Sequence, residues 1–492
     1  MSKSNPLLKL TVGANLFARL GAPVRINSYP PFITMTTVLL LSGCALTPDY
    51  QRPAAPVSAK WVNPAAQAPQ SADFETHFQD ARLKMLIQVA LENNRDLRIA
   101  TARIAEARAL YGIQQADVLP NVNVYGSRTA SLSPASTSFT GRPFQAQRYD
   151  VGLSLVSYEL DFWGRVSHLN EAAKASFFAT QAAQQAFRLS LIAEVVNAYL
   201  TRVELSERVA LTDTTLKTRA TTRELISQRR TLGVSSDLDF LQADGAYQAA
   251  LAEQANLQRQ LGAADNALEM LIGKSISEIK DLPACRPLAA QAIQPAMFAD
   301  LPAEVLLQRP DVMAAEQKLI AAHASVGAAR VAFLPRISLT GGFGTASRAL
   351  SGLFGAGSQA WNFQPMLSLP LFDAGRSEGN VDLAKAREVV AVAEYEKVIQ
   401  QACREVADLL SARENYAKQL AAQQANQDVQ QQRLKLVEAR FNAGVANHLE
   451  VLDAQREGYA AEQTTLQVRR AALVANTQLY KALAGVNKEV SP

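Results

Sequence analysis

The chain has 492 residues, with 49 basic and 45 acidic side chains and a formal net charge of +4. A charge so close to balance, without a dense basic run, argues against a nucleic-acid partner. The histidines (His77, His168, His323 and His448) match no metal-ligand spacing and no catalytic motif, so we expect neither a metal site nor an enzyme. Cys285 and Cys403 lie far apart with no CxxC, which argues against a zinc motif and leaves their pairing open.

Residues 1–43 have the features of a secretory signal peptide: early basic residues, a short apolar run and small residues before Cys44. The sequence from Leu41 to Cys44 resembles the lipobox of bacterial lipoproteins and predicts lipidation of Cys44, which would become the mature N-terminus. The alternative is an ordinary export signal with an incidental cysteine. The following residue is Ala45 rather than Asp, which is typical of sorting to the outer membrane. Residues 44–80 are rich in proline and alanine, so we expect an extended segment.

A first structural unit is predicted over residues 81–283. Apolar residues at helical spacing run from Ala81 to about Val118, and the helix must end before Pro120. Alternating apolar residues then predict strands at about 121–130 and 148–160, separated by a loop rich in Ser, Thr, Pro and Gly. A long helical hairpin is predicted over 165–272, with its turn at Gly233.

A second unit over residues 302–485 repeats the same order after a linker at 284–301. It contains a helix, strands at about 336–346 and 361–371, and a helical hairpin over 376–484 that turns at Gly444. Residues 486–492 form a short C-terminal tail.

The two units share a constant offset. Gly164 returns as Gly375 and Gly233 returns as Gly444, each 211 positions later. A constant offset indicates duplication of one β-β-α-hairpin unit. Gly164, Gly375 and Pro370 stand where strands pass into helices, and we expect them to set the bends there.

The predicted elements require self-association. Each long helix would extend roughly 100 Å, and a helix of that length needs lateral packing along its whole length. Four strands are too few for a closed barrel, which needs about eight. The pattern therefore predicts a homo-oligomeric tube, mainly α with a transmembrane β part, in which a β-barrel continues into a helical barrel.

Five segments carry a family resemblance: Pro48–Pro53, Ala90–Leu97, Gln308–Asp311, Gly327–Arg330 and Leu452–Arg456. Together they resemble the TolC-like outer-membrane factor family, in its lipoprotein branch of OprM- and NodT-type efflux channels. The resemblance implies a homotrimer in the outer membrane of a Gram-negative bacterium, with a twelve-stranded β-barrel continued by a twelve-helix periplasmic α-barrel. It implies passive export of drugs or other small solutes, a periplasmic adaptor (membrane fusion protein), and an inner-membrane pump of the resistance-nodulation-division type. It implies contact with outer-membrane lipid and no cofactor, apart from the covalent N-acyl and diacylglycerol lipid on Cys44.

The same resemblance implies a periplasmic gate in the second hairpin. Leu449, Asp453 and Arg456 fall on one helical stripe, and the family roles are a leucine ring, an acidic ring and an arginine that ties it to neighbouring helices. Glu450 takes the second acidic position. From spacing alone, Asp453 and Arg456 could instead form a local surface pair. The first hairpin has Leu238, Asp239, Gln242 and Gly245 at these positions. His448 could sense pH, but we expect an exposed turn histidine.

Two other functions share parts of this pattern. A periplasmic adaptor or scaffold without a pore would have one helical hairpin, so two hairpins and a lipobox argue against it. An outer-membrane duct of a type I protein secretion system shares the fold and remains the alternative.

Overall fold

The computed structural model describes residues 50–56, 74–139, 141–291, 293 and 303–483. The predicted signal peptide, Cys44 and the C-terminal tail lie outside these residues. The helices are α1 (Phe74–His77), α2 (Ala81–Asn93), α3 (Arg95–Ala116), α4 (Arg165–Thr231), α5 (Asp237–Ile272), α6 (Pro310–Val331), α7 (Arg376–Asn442) and α8 (His448–Leu483). The strands are β1 (Val122–Ser133), β2 (Phe144–Glu159), β3 (Arg336–Ser347) and β4 (Gln359–Ser368). Among the described residues, no helix combines the length and apolar character needed to cross a membrane.

The helical hairpins have matched dimensions. The outgoing helices α4 and α7 each contain 67 residues, and the return helices α5 and α8 each contain 36. Neither long helix contains proline, which would break the helical hydrogen-bond ladder. The duplicated units therefore present two hairpins of equal reach.

The four strands form one antiparallel sheet in the order β1-β2-β3-β4. Its register places a row of apolar side chains side by side across all four strands: Val124, Leu153, Phe343 and Trp361. The next row, on the opposite face, is Asn123, Ser154, Gly342 and Asn362. Because side chains alternate along a strand, one face of the sheet is apolar and the other is polar.

The strand boundaries differ from those predicted. The first two strands extend to Ser133 and back to Phe144, which pair with each other, so the loop is shorter than its composition indicated. Cross-strand pairing outweighs the weak strand propensity of Ser and Thr there. The predicted strand 361–371 runs instead from Gln359 to Ser368, and Pro365 is tolerated inside it because β4 is an edge strand.

The helix predicted from Ala81 to about Val118 is interrupted at Asn94. This residue has ψ 129° and ends α2, while its side chain accepts a hydrogen bond from the Leu97 amide at 2.8 Å and starts α3. A capping asparagine explains the break, since its side chain replaces a backbone acceptor at the new helix end.

The best-packed region lies where α2, α4 and α5 meet. Val196, Tyr199 and Leu200 of α4 are fully buried against residues of α2 and α5, including Leu86 and Leu268. Val406 is the last fully buried side chain of α7, whereas α8 keeps Val451 and Ala454 buried close to the tip. The outer face of α7 beyond Val406 is exposed unless another copy packs against it.

Candidate functional site

The two hairpin tips have the same backbone construction. Gly233 and Gly444 have φ values of 73° and 75°, a left-handed conformation that glycine adopts without strain. The next residue, Val234 or Val445, donates its amide to a carbonyl five residues earlier at 3.0 or 2.9 Å. These hydrogen bonds satisfy the last helical carbonyls, so the tips differ only in their side chains.

Glu450 caps the helix that returns from the second tip. The Asn447 side chain accepts from the Glu450 amide at 2.9 Å, and the Glu450 carboxylate accepts from the Asn447 amide at 3.4 Å. Ser236 and Asp239 make the same reciprocal cap in the first hairpin. Glu450 also lies 3.8 Å from Arg440 of α7. An acidic residue stands at this position in both units. In the second unit it caps the return helix and also forms an ion pair with the outgoing helix.

Asp453 is held by two arginines. Arg456 lies one turn further along α8 and donates to Asp453 Oδ1 at 2.8 Å, while Arg433 of α7 donates to Oδ2 at 2.8 Å. The other close partner of Arg456 is Glu457 of the same helix. Within one protomer, Arg456 thus makes the local pair that spacing allows, and Arg433 provides the link between the two helices.

Sequence reasoning missed Arg433, although a signal for it exists. In an antiparallel hairpin, residues at similar distances from the turn face each other, and Arg433 and Asp453 lie on either side of Gly444 at nearly equal separation. The first hairpin has Thr222 and Gln242 at these positions and forms its own link nearby, between Arg223 and Asp244 at 2.5 Å. An Arg–Asp pair joins the two helices in each hairpin. In the second hairpin the aspartate also binds another arginine, Arg456.

Leu449 is exposed at the second tip, with 57% of its surface accessible, and its counterpart Leu238 is 63% exposed. Two large apolar side chains thus face solvent for more than half of their surface, near charged residues. Such exposure is expected of residues that contact other copies or line a constriction.

The expectation of an exposed His448 is wrong. Only 8% of the residue is accessible, and its ring lies 5.9 Å from the ring of Phe441. Burial lowers its pKa, and the charges of Asp239 and Arg229 in the first hairpin act on it in opposite directions. The reason is tertiary: the first tip and the α7 end cover a position that would be open in an isolated turn.

The strand-to-helix bends are built around two left-handed glycines, Gly164 (φ 79°) and Gly375 (φ 82°). Asp161 accepts amide hydrogen bonds from the first turn of α4, and Asp373 does the same for α7. Sequence reasoning missed both carboxylates, although each lies two or three residues before its glycine. Pro370 lies between the end of β4 and this turn.

The equivalent of Pro370 in the first unit is Glu159, which forms an ion cluster. Arg165 binds it through two hydrogen bonds of 2.7 Å, and Arg336 of β3 lies 2.6 Å away. The first bend is therefore held by charges and the second by a proline.

The described N-terminal segment, residues 50–56, is bound to helix α6. Arg52 makes two 2.5 Å hydrogen bonds to the buried carboxylate of Glu316 in α6. Tyr50 lies edge-on to His323 at 5.9 Å, and burial raises its pKa to about 12. The segment that follows Cys44 is thus fixed to α6 six residues after that cysteine.

The remaining reactive groups form no further site. Cys285 and Cys403 are unpaired thiols. Within the described ranges, no group of three or more His, Cys, Asp or Glu side chains is arranged to hold a metal ion.

Comparison with known proteins gives consistent matches over most of the chain. Residues 86–274 and 301–485 match the model of the outer membrane efflux protein family. Outer membrane protein OprJ of Pseudomonas aeruginosa is 43% identical over 453 residues, covering 91% of this chain and 94% of OprJ. The toluene efflux pump outer membrane protein TtgI of Pseudomonas putida is 41% identical over 467 residues, covering 92% and 97%.

Solved structures share the architecture. A membrane protein from Pseudomonas aeruginosa superposes with a TM-score of 0.82 at 41% identity, covering 89% of this chain and all of that one. The open state of the Neisseria gonorrhoeae MtrE outer membrane channel superposes with a TM-score of 0.81 at 36% identity, covering 90% and 99%.

Proposed function

The chain belongs to the outer membrane efflux protein family, and from this premise we propose that it is the outer-membrane channel of a tripartite efflux system. It passively exports drugs, solvents or other small solutes through a trimeric tunnel gated at its periplasmic tip. The observation that carries this proposal is the two-faced sheet, because an apolar outer face and a polar inner face are what a membrane-spanning barrel requires.

Trimer formation is supported by the edges of the protomer. The sheet ends at β1 and β4, whose free edges must pair with other strands in a membrane. The helices attached to these edges also expose apolar side chains: Ile99, Leu110 and Ile113 on α3, and Leu383, Val389 and Val390 on α7. One edge fits the other head to tail, and such a contact closes into a ring. Three protomers supply twelve strands, enough for a closed barrel.

Lipidation of Cys44 is the proposed anchor. Tyr50 and Arg52 fix the described N-terminal segment to α6 and α7. Loss of fatty-acid labelling in Cys44→Ser is expected, and labelling that persists would refute the anchor.

The gate is proposed at Leu449, Asp453 and Arg456, with Glu450 and Arg433 as supporting charges. Carboxylates repeated around a threefold axis repel each other and attract cations. Arg433 and Arg456 compensate the negative charge of Asp453, so that three such carboxylates can lie close together in the closed tip. Opening requires these ion pairs to rearrange. The exposed tips are also the surface for a periplasmic adaptor, which in turn joins an inner-membrane pump of the resistance-nodulation-division type. We assign no enzymatic activity, since a tube of this kind performs no covalent chemistry.

Single-channel conductance of the purified, lipidated protein tests the gate. Asp453→Ala and Arg456→Ala should raise closed-state conductance, because each removes part of the compensated charge cluster. Gln242→Ala, the equivalent position in the first hairpin, serves as the matched control and should behave as wild type. Unchanged conductance in both gate variants would sink the proposal.

The type I secretion duct remains a second candidate with no specific observation in its favour. By its name, the relative TtgI is a component of a toluene efflux pump. Drug or solvent accumulation in a deletion strain complemented with this chain distinguishes the two functions.

A further inference from the structure

Each hairpin is held at its root, the end away from its tip, by the residue that precedes the helix leading into the strands of that unit. The side-chain amide of Asn94 donates a hydrogen bond to the Leu271 carbonyl at 2.8 Å, and the Arg309 guanidinium donates one to the Ala482 carbonyl at 3.2 Å. Leu271 and Ala482 occupy equivalent positions in the last turns of α5 and α8, 211 residues apart. The duplicated units therefore share one root contact, made by an asparagine in one and an arginine in the other.

The two roots differ in charge. Arg309 is 6% exposed and bonds Asp311 at 2.9 Å and Glu405 of α7 at 2.7 Å, in addition to the α8 carbonyl. The first unit keeps both carboxylates, as Asp96 and Glu194, but has the neutral Asn94 where Arg309 stands. Among the described residues at the two roots, a buried cation joins the hairpin to the neighbouring helix only in the second unit.

A guanidinium can make all these contacts at once. Its rigid fork of five donors reaches one carbonyl and two carboxylates together, whereas an asparagine amide donates only two hydrogen bonds. Because Arg309 is buried, its ion pairs are less screened by salt than surface pairs. Both helices of the second hairpin are thus fixed to the start of α6 at one point.

We propose that Arg309 is the positioning residue for the pore-narrowing hairpin, the pivot from which α7 and α8 swing toward or away from the pore axis. This inference rests on the proposed gate. From Ala482 to Asp453 the α8 axis measures about 44 Å at ~1.5 Å per residue. A tilt of roughly 10° about a fixed root would move the tip by about 8 Å over that length. Without the Arg309 contacts, α7 and α8 could shift along α6 at the root, and the tip would then occupy a range of positions.

The test compares two root substitutions in the full-length, lipidated protein reconstituted in a planar bilayer. Arg309→Asn installs the residue of the first unit, which retains the carbonyl contact and removes both ion pairs. Asn94→Ser is the matched control at the other root, since serine preserves the helix cap but cannot reach Leu271. We expect Arg309→Asn to raise closed-state conductance several-fold and Asn94→Ser to leave it unchanged.

A distance measurement separates positioning from general stability. Spin labels on Val445→Cys, in a background of Cys285→Ser and Cys403→Ser, report the distances between tips of neighbouring protomers. Arg309→Asn should broaden this distribution while the trimer stays intact on gel filtration. If Arg309→Asn does not yield trimers, Glu405→Gln removes the ion pairs of Glu405 with Arg309 and Lys481 but keeps the Arg309–Asp311 pair, and should broaden the distribution to a smaller extent.

Unchanged tip distances and conductance in an intact Arg309→Asn trimer overturn the pivot. So does a fall in thermal stability with no change at the tip. If Asp453→Ala still opens the channel in that case, the gate stands without the pivot. If Asp453→Ala is silent as well, the gate itself fails.

Discussion

Acidification should weaken the protein through His77, the last residue of α1. The residue is 9% exposed and its ring stacks on Tyr480 of α8 at 4.6 Å. Burial lowers its pKa to about 4, against about 6.5 in an unfolded chain. Since the folded state disfavours the charged form, the stability of the fold is complete above pH 6.5 and falls as the pH approaches 4. The loss per protomer is about 2 kcal/mol at pH 5 and about 3 kcal/mol once the group is fully protonated.

The assay compares wild type with His77→Phe, which keeps a flat ring against Tyr480 and cannot be protonated. Guanidinium unfolding of the detergent-solubilised protein, followed by helical circular dichroism, is measured at pH 7.5, 6 and 5. We expect wild type to lose about 2 kcal/mol more than the variant between pH 7.5 and 5. Other titrating groups are present in both proteins and cancel in the difference. Parallel pH profiles of the two proteins would show that His77 does not cause the loss of stability in acid.

Three further predictions concern the barrel, the tip and the N-terminal segment. Gly152→Ala should destabilise the sheet because its Cβ would lie 2.6 Å from a β3 carbonyl oxygen, whereas Gly126→Ala, with 3.6 Å to its nearest neighbour, should be tolerated; equal melting of both variants contradicts this. Burial lowers the pKa of His448, so its protonation, at a pH below the ordinary value of about 6.5, should loosen the packing of the tip and raise the closed-state conductance; an unchanged pH response in His448→Phe counts against this role. Arg52→Ala should cost about 1–3 kcal/mol by leaving the buried Glu316 carboxylate unpaired; Glu316→Gln in the same chain should recover part of the loss in a thermal melt, and no recovery excludes this cause.

Much of the fold could be predicted from the sequence because it is governed by long, regular patterns. A proline-free helical pattern between Arg165 and Thr231 has few alternatives, and a helix of the same length recurs from Arg376. The break at Asn94 was missed since helical spacing continues through it, and only the side-chain cap shows where one helix ends. Strand ends were missed where pairing between Ser133 and Phe144 overrides local composition.

The candidate site was less accessible to sequence reasoning. Residues on one helix, such as Asp453 and Arg456, can be paired by spacing, but Arg433 requires the register of the hairpin. His448 was misjudged for the same reason, because its burial comes from Phe441 and the opposite tip. Side chains that act across helices depend on tertiary register, which a single periodic pattern does not contain.

Duplication explains the equal lengths of the two hairpins and, under the proposed gate, which of them moves. Two equal units give helices of equal length, so the hairpins can pack side by side over their full reach. Equal units alone would move together, and a gate requires one to move against the other. The two units differ at both ends of the hairpin. At the root, the second unit has Arg309 where the first has Asn94. Near the tip, it has Asp453 and Arg456 where the first has Gln242 and Gly245. Under the proposed gate and pivot, these substitutions at the root and near the tip let the second hairpin change its tilt while the first stays in place.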